Sequence, residues 1–251
     1  VVFIIKNNSA KVISLSSLTF QKINTLNYDK LELFVSKARL GRYLRACGNS
    51  KPRALELYKA NLLLAEAYYP ILNYFEIFFR NALNRELIRF FNDPKWIITE
   101  KNGFMSHRAL SRTGFFIQNS VIKAENSLNS RGRMVTPSAL IAEQTFGFWS
   151  SFFEAKPFGL LKASILNVFP LRPSSVNRAS IRDMLNEIRD FRNRIYHNEP
   201  ICFDNHHIDF SDTERIRLKI YLLLSWVDSD LENHVKFYDR IPKRLITAKR
   251  I

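Results

Sequence analysis

From Asp29 onward, apolar residues recur every three or four positions, the period of an amphipathic helix. Leu31, Phe34, Val35 and Ala38 open this pattern, and Cys47-Gly48-Asn49-Ser50 breaks it. A longer stripe follows through Ala54, Leu57, Tyr58, Leu62, Ala65, Ile71, Leu72, Phe75, Phe79, Leu83 and Leu87. Pro70 falls inside it. Proline lacks an amide donor and clashes with the preceding turn, so the stripe reads as two helices or one kinked helix. Asn92-Asp93-Pro94 ends that element and caps the next. A helix is expected from about Arg108 to Leu128, ending near Gly132. Thr136-Pro137 pairs an N-cap residue with a first-turn proline, and the helix it opens carries Leu140, Ile141, Phe148, Trp149 and Phe152. Further helices are expected over Phe158–Val168 and Val176–Tyr196. Asn198-Glu199-Pro200 stops the latter, because proline holds the residue before it extended. Ser211-Asp212-Thr213-Glu214 has a capping pattern, ahead of a stripe at Ile216, Ile220, Leu223, Leu224 and Val227. The tail from Lys236 to Ile251 reads as helical in pieces. Residues 1–28 differ: Val12-Ile13-Ser14-Leu15-Ser16 alternates, as in a short strand or an extended arm. The pattern thus predicts an N-terminal extension over 1–28 and one all-α domain over 29–251.

Composition narrows the class. The 251 residues include only 7 Gly and 9 Pro, few for an all-β chain with its many tight turns. With 46% hydrophobic and 24% charged residues the chain is globular in type. Two cysteines cannot build a disulfide framework and fit thiols in a reducing cytosol. No apolar run reaches the ~18–20 residues that span a bilayer. Val1-Val2-Phe3-Ile4-Ile5 lacks the flanks of a signal peptide. The expected location is therefore cytoplasmic, with no membrane partner. The net charge is +15, from 38 basic and 23 acidic residues. Such a surplus can serve solubility, but with 21 Phe, 9 Tyr and 3 Trp it also fits a nucleic-acid binder. The basic residues are spread along the chain, which argues against a membrane-surface helix.

The densest polar cluster is Arg189-Asp190-Phe191-Arg192-Asn193-Arg194-Ile195-Tyr196-His197-Asn198-Glu199-Pro200. On an ideal helix Ile181, Met184, Leu185, Ile188, Phe191 and Ile195 form one apolar stripe, with Asn186, Asp190, Asn193 and His197 opposite. Arg192 falls at the stripe's edge, where a guanidinium must snorkel, pair with an acid or face a cleft. By spacing alone this reads as a solvated face with a polar helix end. A second polar group, Glu76, Arg80 and Asn81, interrupts the apolar stretch between Ile71 and Leu87. By spacing it reads as an ordinary intrahelical ion pair. Cys202, Asp204, His206 and His207 match no common zinc spacing, so no metal is expected and they read as a polar loop. His107 and His234 read as surface residues. Phosphate-binding glycine loops and a G-x-S-x-G elbow are lacking. Phe146-Gly147-Phe148-Trp149 reads as core rather than as a base-stacking surface.

Arg192-Asn193-Arg194-Ile195-Tyr196-His197 resembles the R-N-x-x-x-H signature of the HEPN ribonuclease superfamily. The surrounding sequence is similar to its Abi-like (AbiD/AbiF-type) abortive-infection branch. Supporting segments are Ser36-Lys37-Ala38-Arg39-Leu40 with Arg42-Tyr43-Leu44, and Ala54-Leu55-Glu56-Leu57-Tyr58 with Asn61. Phe75-Glu76-Ile77-Phe78-Phe79-Arg80-Asn81 and Thr145-Phe146-Gly147-Phe148-Trp149 complete the set, in family order over about residues 30–205. The resemblance implies a HEPN-type helical bundle with additional helices, acting as a homodimer with a composite active site. It implies cleavage of single-stranded RNA without metal or other cofactor, by attack of the RNA's own 2′-hydroxyl. Arg192 would stabilise the phosphorane, His197 would act as general acid or base, and Asn193 would orient the motif or bond a phosphate oxygen. Either Glu76 would pair with Arg192 or Arg80 would bind RNA phosphate, with Asn81, Arg189 and Arg194 as further supporting or RNA-binding residues. General chemistry agrees: an ordinary imidazole, with a pKa of about 6.5, exchanges protons near neutrality, and a planar guanidinium matches phosphate oxygens. The implied setting is antiphage or toxin–antitoxin defence, restrained by a regulatory non-coding RNA or antitoxin protein. The alternatives are an RNA-binding module without catalysis, and an interaction scaffold.

Overall fold

The structure, a computed structural model, describes residues 26–251. The strand expected near Val12 and nearly all of the expected extension lie outside the described residues. The described chain is mostly helical, so the all-α expectation holds. Its elements are α1 (Tyr28–Val35), α2 (Lys37–Ala46), α3 (Lys51–Phe91), α4 (Trp96–Thr99), α5 (Phe116–Ser130), α6 (Pro137–Glu143), α7 (Phe146–Ser151), α8 (Ala155–Leu160), α9 (Arg178–Tyr196), α10 (Ser211–Val227), α11 (Ser229–Lys236) and α12 (Ile241–Ala248). Strands β1 (Phe203–Asp204) and β2 (His207–Ile208) form one short antiparallel pair after α9. Short 3₁₀ turns fill several connections.

The described residues divide into two compact units, one ending at Leu55 and the other running from Glu56 to Ile251, with the boundary inside α3. The first unit holds α1 and α2. The single helix expected there breaks at Ser36, whose backbone turns to φ 91° while its hydroxyl accepts from Arg39 N. The cap diverts the chain, and Leu33 and Phe34 are left exposed instead of joining a buried stripe.

α3, which lies in the second unit from Glu56 onward, is one helix of 41 residues despite Pro70. Pro70 costs the Glu66 carbonyl its partner. Glu66 lies on an exposed face, where water can serve it. The buried side of α3, including Leu57, Leu64, Tyr68, Ile71, Phe75 and Phe79, anchors the core. Around it pack Phe146, Phe148, Trp149, Phe152 and Phe153, all nearly inaccessible, so the aromatic run is core as its pattern predicts.

Three expected helices are shorter than their hydrophobic pattern. The segment from Arg108 is a 3₁₀ turn that ends at Gly114, and Gly114 and Phe115 both have positive φ before α5 begins. The helix opened by Thr136-Pro137 ends at Glu143, because the Thr145 hydroxyl caps a new helix by accepting from Phe148 N. The Phe158–Val168 stretch splits where Lys162 and Ala163 take left-handed backbone. Ser211-Asp212-Thr213-Glu214 forms no capping box: Ser211 is already helical, and the Asp209 carboxylate accepts from its N–H instead.

Candidate functional site

Helix α9 carries most of the candidate residues. Asn177 caps its start by accepting from Ser180 N at 3.0 Å. Ile181, Leu185, Ile188 and Phe191 bury its apolar side, and the Phe191 ring lies 4.9 Å from that of Tyr68 on α3. Glu187 ties α9 to α10 through Arg215 and Lys219.

The C-terminus of α9 has a defined geometry. Asn198 takes left-handed backbone at φ 56°. Its N–H donates to Ile195 O (3.0 Å), and Glu199 N donates to Arg194 O (2.8 Å). These two bonds form a Schellman end, which satisfies the last helical carbonyls. The next residues are pinned from three helices. Arg194 donates to Pro200 O at 2.6 Å and pairs with Asp212 at 3.5 Å. Asn61 Oδ1 on α3 accepts from Ile201 N at 2.8 Å. Thr213 on α10 donates to Ile201 O at 3.1 Å, and its own carbonyl accepts from the buried Tyr68 hydroxyl. Asn61 and Thr213 are both buried. His197 therefore sits on a fixed turn, exposed, and its imidazole makes no hydrogen bond or ion pair among the described residues.

Arg192 stands one turn earlier. Its guanidinium stacks over the Tyr196 ring at 4.1 Å and lies 3.7 Å from a Glu76 oxygen. Asn193 Oδ1 is 3.4 Å from its Nη1. Both members of the Arg192–Glu76 pair are about a quarter exposed, 26% and 24%. The Arg192 Nε is buried and has no hydrogen-bond partner. A guanidinium carries five donors, and these contacts leave most of them unused. Burial pushes the Glu76 carboxyl above its usual range, and attraction to Arg192 and Arg80 offsets this only in part. A contact of 3.7 Å is too long for a hydrogen bond, which accounts for the incomplete compensation. Burial likewise raises the Tyr196 phenol, against the pull of Arg192.

The structure thus brings Arg192, Asn193 and Glu76 together, with Arg80 within electrostatic reach of Glu76 and Arg80 Nε 3.4 Å from Asn81 Oδ1. Glu76 feels the fields of both arginines rather than forming a simple intrahelical pair. Arg194 is occupied in holding the turn. Arg189 meets Asp190 at 3.3 Å and lines a separate cavity of about 250 Å³ with Gly147, Ser151 and Glu154. Cys202 is buried while His206 and His207 are exposed, and no group of three or more His, Cys, Asp or Glu converges among the described residues. His107 is exposed and accepts from Ala109 N; His234 is exposed but rests against the Tyr74 ring at 5.1 Å.

Two roles lie beyond what spacing alone conveys. Tyr196 is the platform for Arg192, and Asn61 is the clamp on the turn. The signal for Asn61 is its position: it occupies the buried stripe of Leu57, Leu64 and Tyr68, where an amide must find a partner.

No helix among the described residues is long and apolar enough to cross a membrane. Compared with known proteins, the chain matches no family model, no curated protein and no solved structure.

Proposed function

We propose that this protein is a metal-independent endoribonuclease of the HEPN type, Abi-like in its branch, that cuts single-stranded RNA. The observation that carries the reading is Arg192, a partly buried guanidinium stacked on Tyr196, loosely paired to Glu76 and short of hydrogen-bond acceptors. A phosphodiester supplies the missing acceptors. The R-N-x-x-x-H pattern adds an imidazole, His197, on the same helix end.

In the proposed reaction a base removes the proton of a ribose 2′-hydroxyl, and that oxygen attacks the adjacent phosphorus. Arg192 takes up the charge that grows on the phosphorane oxygens. An acid then protonates the departing 5′-oxygen. The products are a 2′,3′-cyclic phosphate and a 5′-hydroxyl, and the proton inventory balances. His197 fills one proton-transfer role. An ideal helix turns Arg192 and His197 about 140° apart, so a second copy of the chain is proposed to complete the site in a homodimer. Glu76 positions Arg192 without touching the substrate. Activity of this kind needs restraint in the cell, and an RNA or protein regulator in antiphage or toxin–antitoxin defence is the setting we propose.

The test is incubation with single-stranded RNA in EDTA, with the new ends mapped. The proposal expects cyclic-phosphate and 5′-hydroxyl ends, and resistance of the same strand when its 2′-oxygens are removed. Cleavage of the 2′-deoxy strand, or dependence on a divalent ion, overturns it. RNA binding that falls steeply with salt, without cleavage, would instead support the RNA-binding module.

A further inference from the structure

A groove of about 510 Å³ runs between α3 and the α11–α12 segment, lined by Tyr69, Phe237, Tyr238, Arg240, Arg244 and Glu66 among others. Its aromatic content is exposed: Tyr69 shows 56% of its surface and Phe237 86%. Water disfavours such large apolar faces, and clustered ones mark a binding surface. Of the five most exposed aromatic side chains among the described residues, Tyr69 and Phe237 line this groove and Tyr196 carries Arg192. Neither Arg240 nor Arg244 is hydrogen-bonded or ion-paired through its side chain among the described residues. Two free guanidinium groups thus stand against one carboxylate, Glu66.

The groove lies beside the Arg192 site. Tyr69 and Glu76 are seven residues apart on α3, which puts them on one face about 10 Å from each other. Tyr69 is also within electrostatic reach of Tyr196.

We infer that this groove binds unpaired nucleotides next to the scissile bond, stacking a base on Phe237 and Tyr69 and holding phosphate with Arg240 and Arg244. Aromatic faces accept any base, and arginine pairs with phosphate through a planar fork. The charge balance favours a polyanion, and the flat exposed rings favour one that carries bases over an acidic peptide. The inference rests on the RNA reading above and names a binding surface within it.

The experiment uses the full chain and a short single-stranded 2′-O-methyl oligonucleotide, which cannot be cut, with affinity read by fluorescence anisotropy. Phe237→Ser is expected to weaken binding about tenfold, the scale of one base–aromatic stack. The double variant Arg240→Gln/Arg244→Gln is expected to flatten the salt dependence by about 0.7 in log–log slope for each phosphate no longer neutralised. A control pair on another surface, Arg112→Gln/Arg133→Gln, is expected to change both far less. A duplex of equal length should compete at least tenfold less well, since its bases are not free to stack. Equal weakening in groove and control variants, wild-type affinity in Phe237→Ser, or equal competition by duplex or by polyglutamate overturns the inference. Cleavage is scored separately. Loss of binding without any cleavage activity keeps the groove and removes the nuclease, whereas cleavage with unchanged binding does the reverse.

Discussion

Glu76 gives the clearest test at the scale of single residues. Its carboxyl is raised by burial, so the folded chain keeps that proton more firmly than the unfolded chain. Between the ordinary value of 4.5 and the raised folded value, the unfolded chain binds fewer protons. Stability therefore falls as pH rises through that window. Glu76→Gln removes the titration and leaves the shape. The stability of the wild type relative to Glu76→Gln should decline with rising pH across this window, as read from urea midpoints. A difference that is flat with pH contradicts the account. Asn61 makes a separate claim. Asn61→Ala leaves the Ile201 amide buried and unpartnered, which costs about 1–3 kcal/mol. Denaturant unfolding measures this, and an unchanged midpoint would show that the turn does not need its clamp.

At the scale of elements, the Schellman end of α9 matters most. Asn198 occupies left-handed backbone, which glycine adopts freely and a β-branched residue does not. Asn198→Gly should leave stability and cleavage close to wild type, while Asn198→Val should cost about 1–2 kcal/mol and displace His197. Thermal melts of the two variants check this, and equal melting temperatures would argue against the strain.

This helix end is also where the sequence is most readable. Asn198-Glu199-Pro200 marks the stop, and the boundary falls there to the residue. The long stripe through Leu57, Phe75 and Leu87 likewise reads directly, because a buried face spanning many turns leaves a strong period. Ser36, Gly114, Thr145 and Ala163 show where reading fails. At each, the apolar pattern runs on while the backbone turns, since a cap hydroxyl or a left-handed residue breaks the helix without changing which residues are buried. The pairing of Glu76 with Arg192 is visible only in part. Each lies on its helix at the edge of an apolar stripe, but no single-helix pattern says that the two edges meet. The stack of Arg192 on Tyr196 is open to spacing, being four residues along one helix, yet spacing does not choose between the ring and solvent as the place of the guanidinium.

At the scale of the whole molecule, the +15 charge and the single R-x-x-x-x-H make two demands. RNA affinity should fall linearly on a log–log plot against salt, since bound cations release counterions from the strand. The proposed composite site requires two chains, so activity per chain should fall on dilution in step with dissociation of a dimer followed by sedimentation. Constant activity per chain through the monomer range would remove the shared site.

The central claim is that the helix end carrying Arg192 and His197 performs proton transfer on RNA. The most direct measurement compares wild type with His197→Ala on one single-stranded RNA in EDTA, with both proteins shown folded by circular dichroism. Because the imidazole is exposed and unbonded, the substitution should leave the fold and its melting temperature intact. The rate should fall at least about 100-fold, the scale of an acid–base group's contribution. A folded His197→Ala chain that cuts RNA at the wild-type rate would contradict the account.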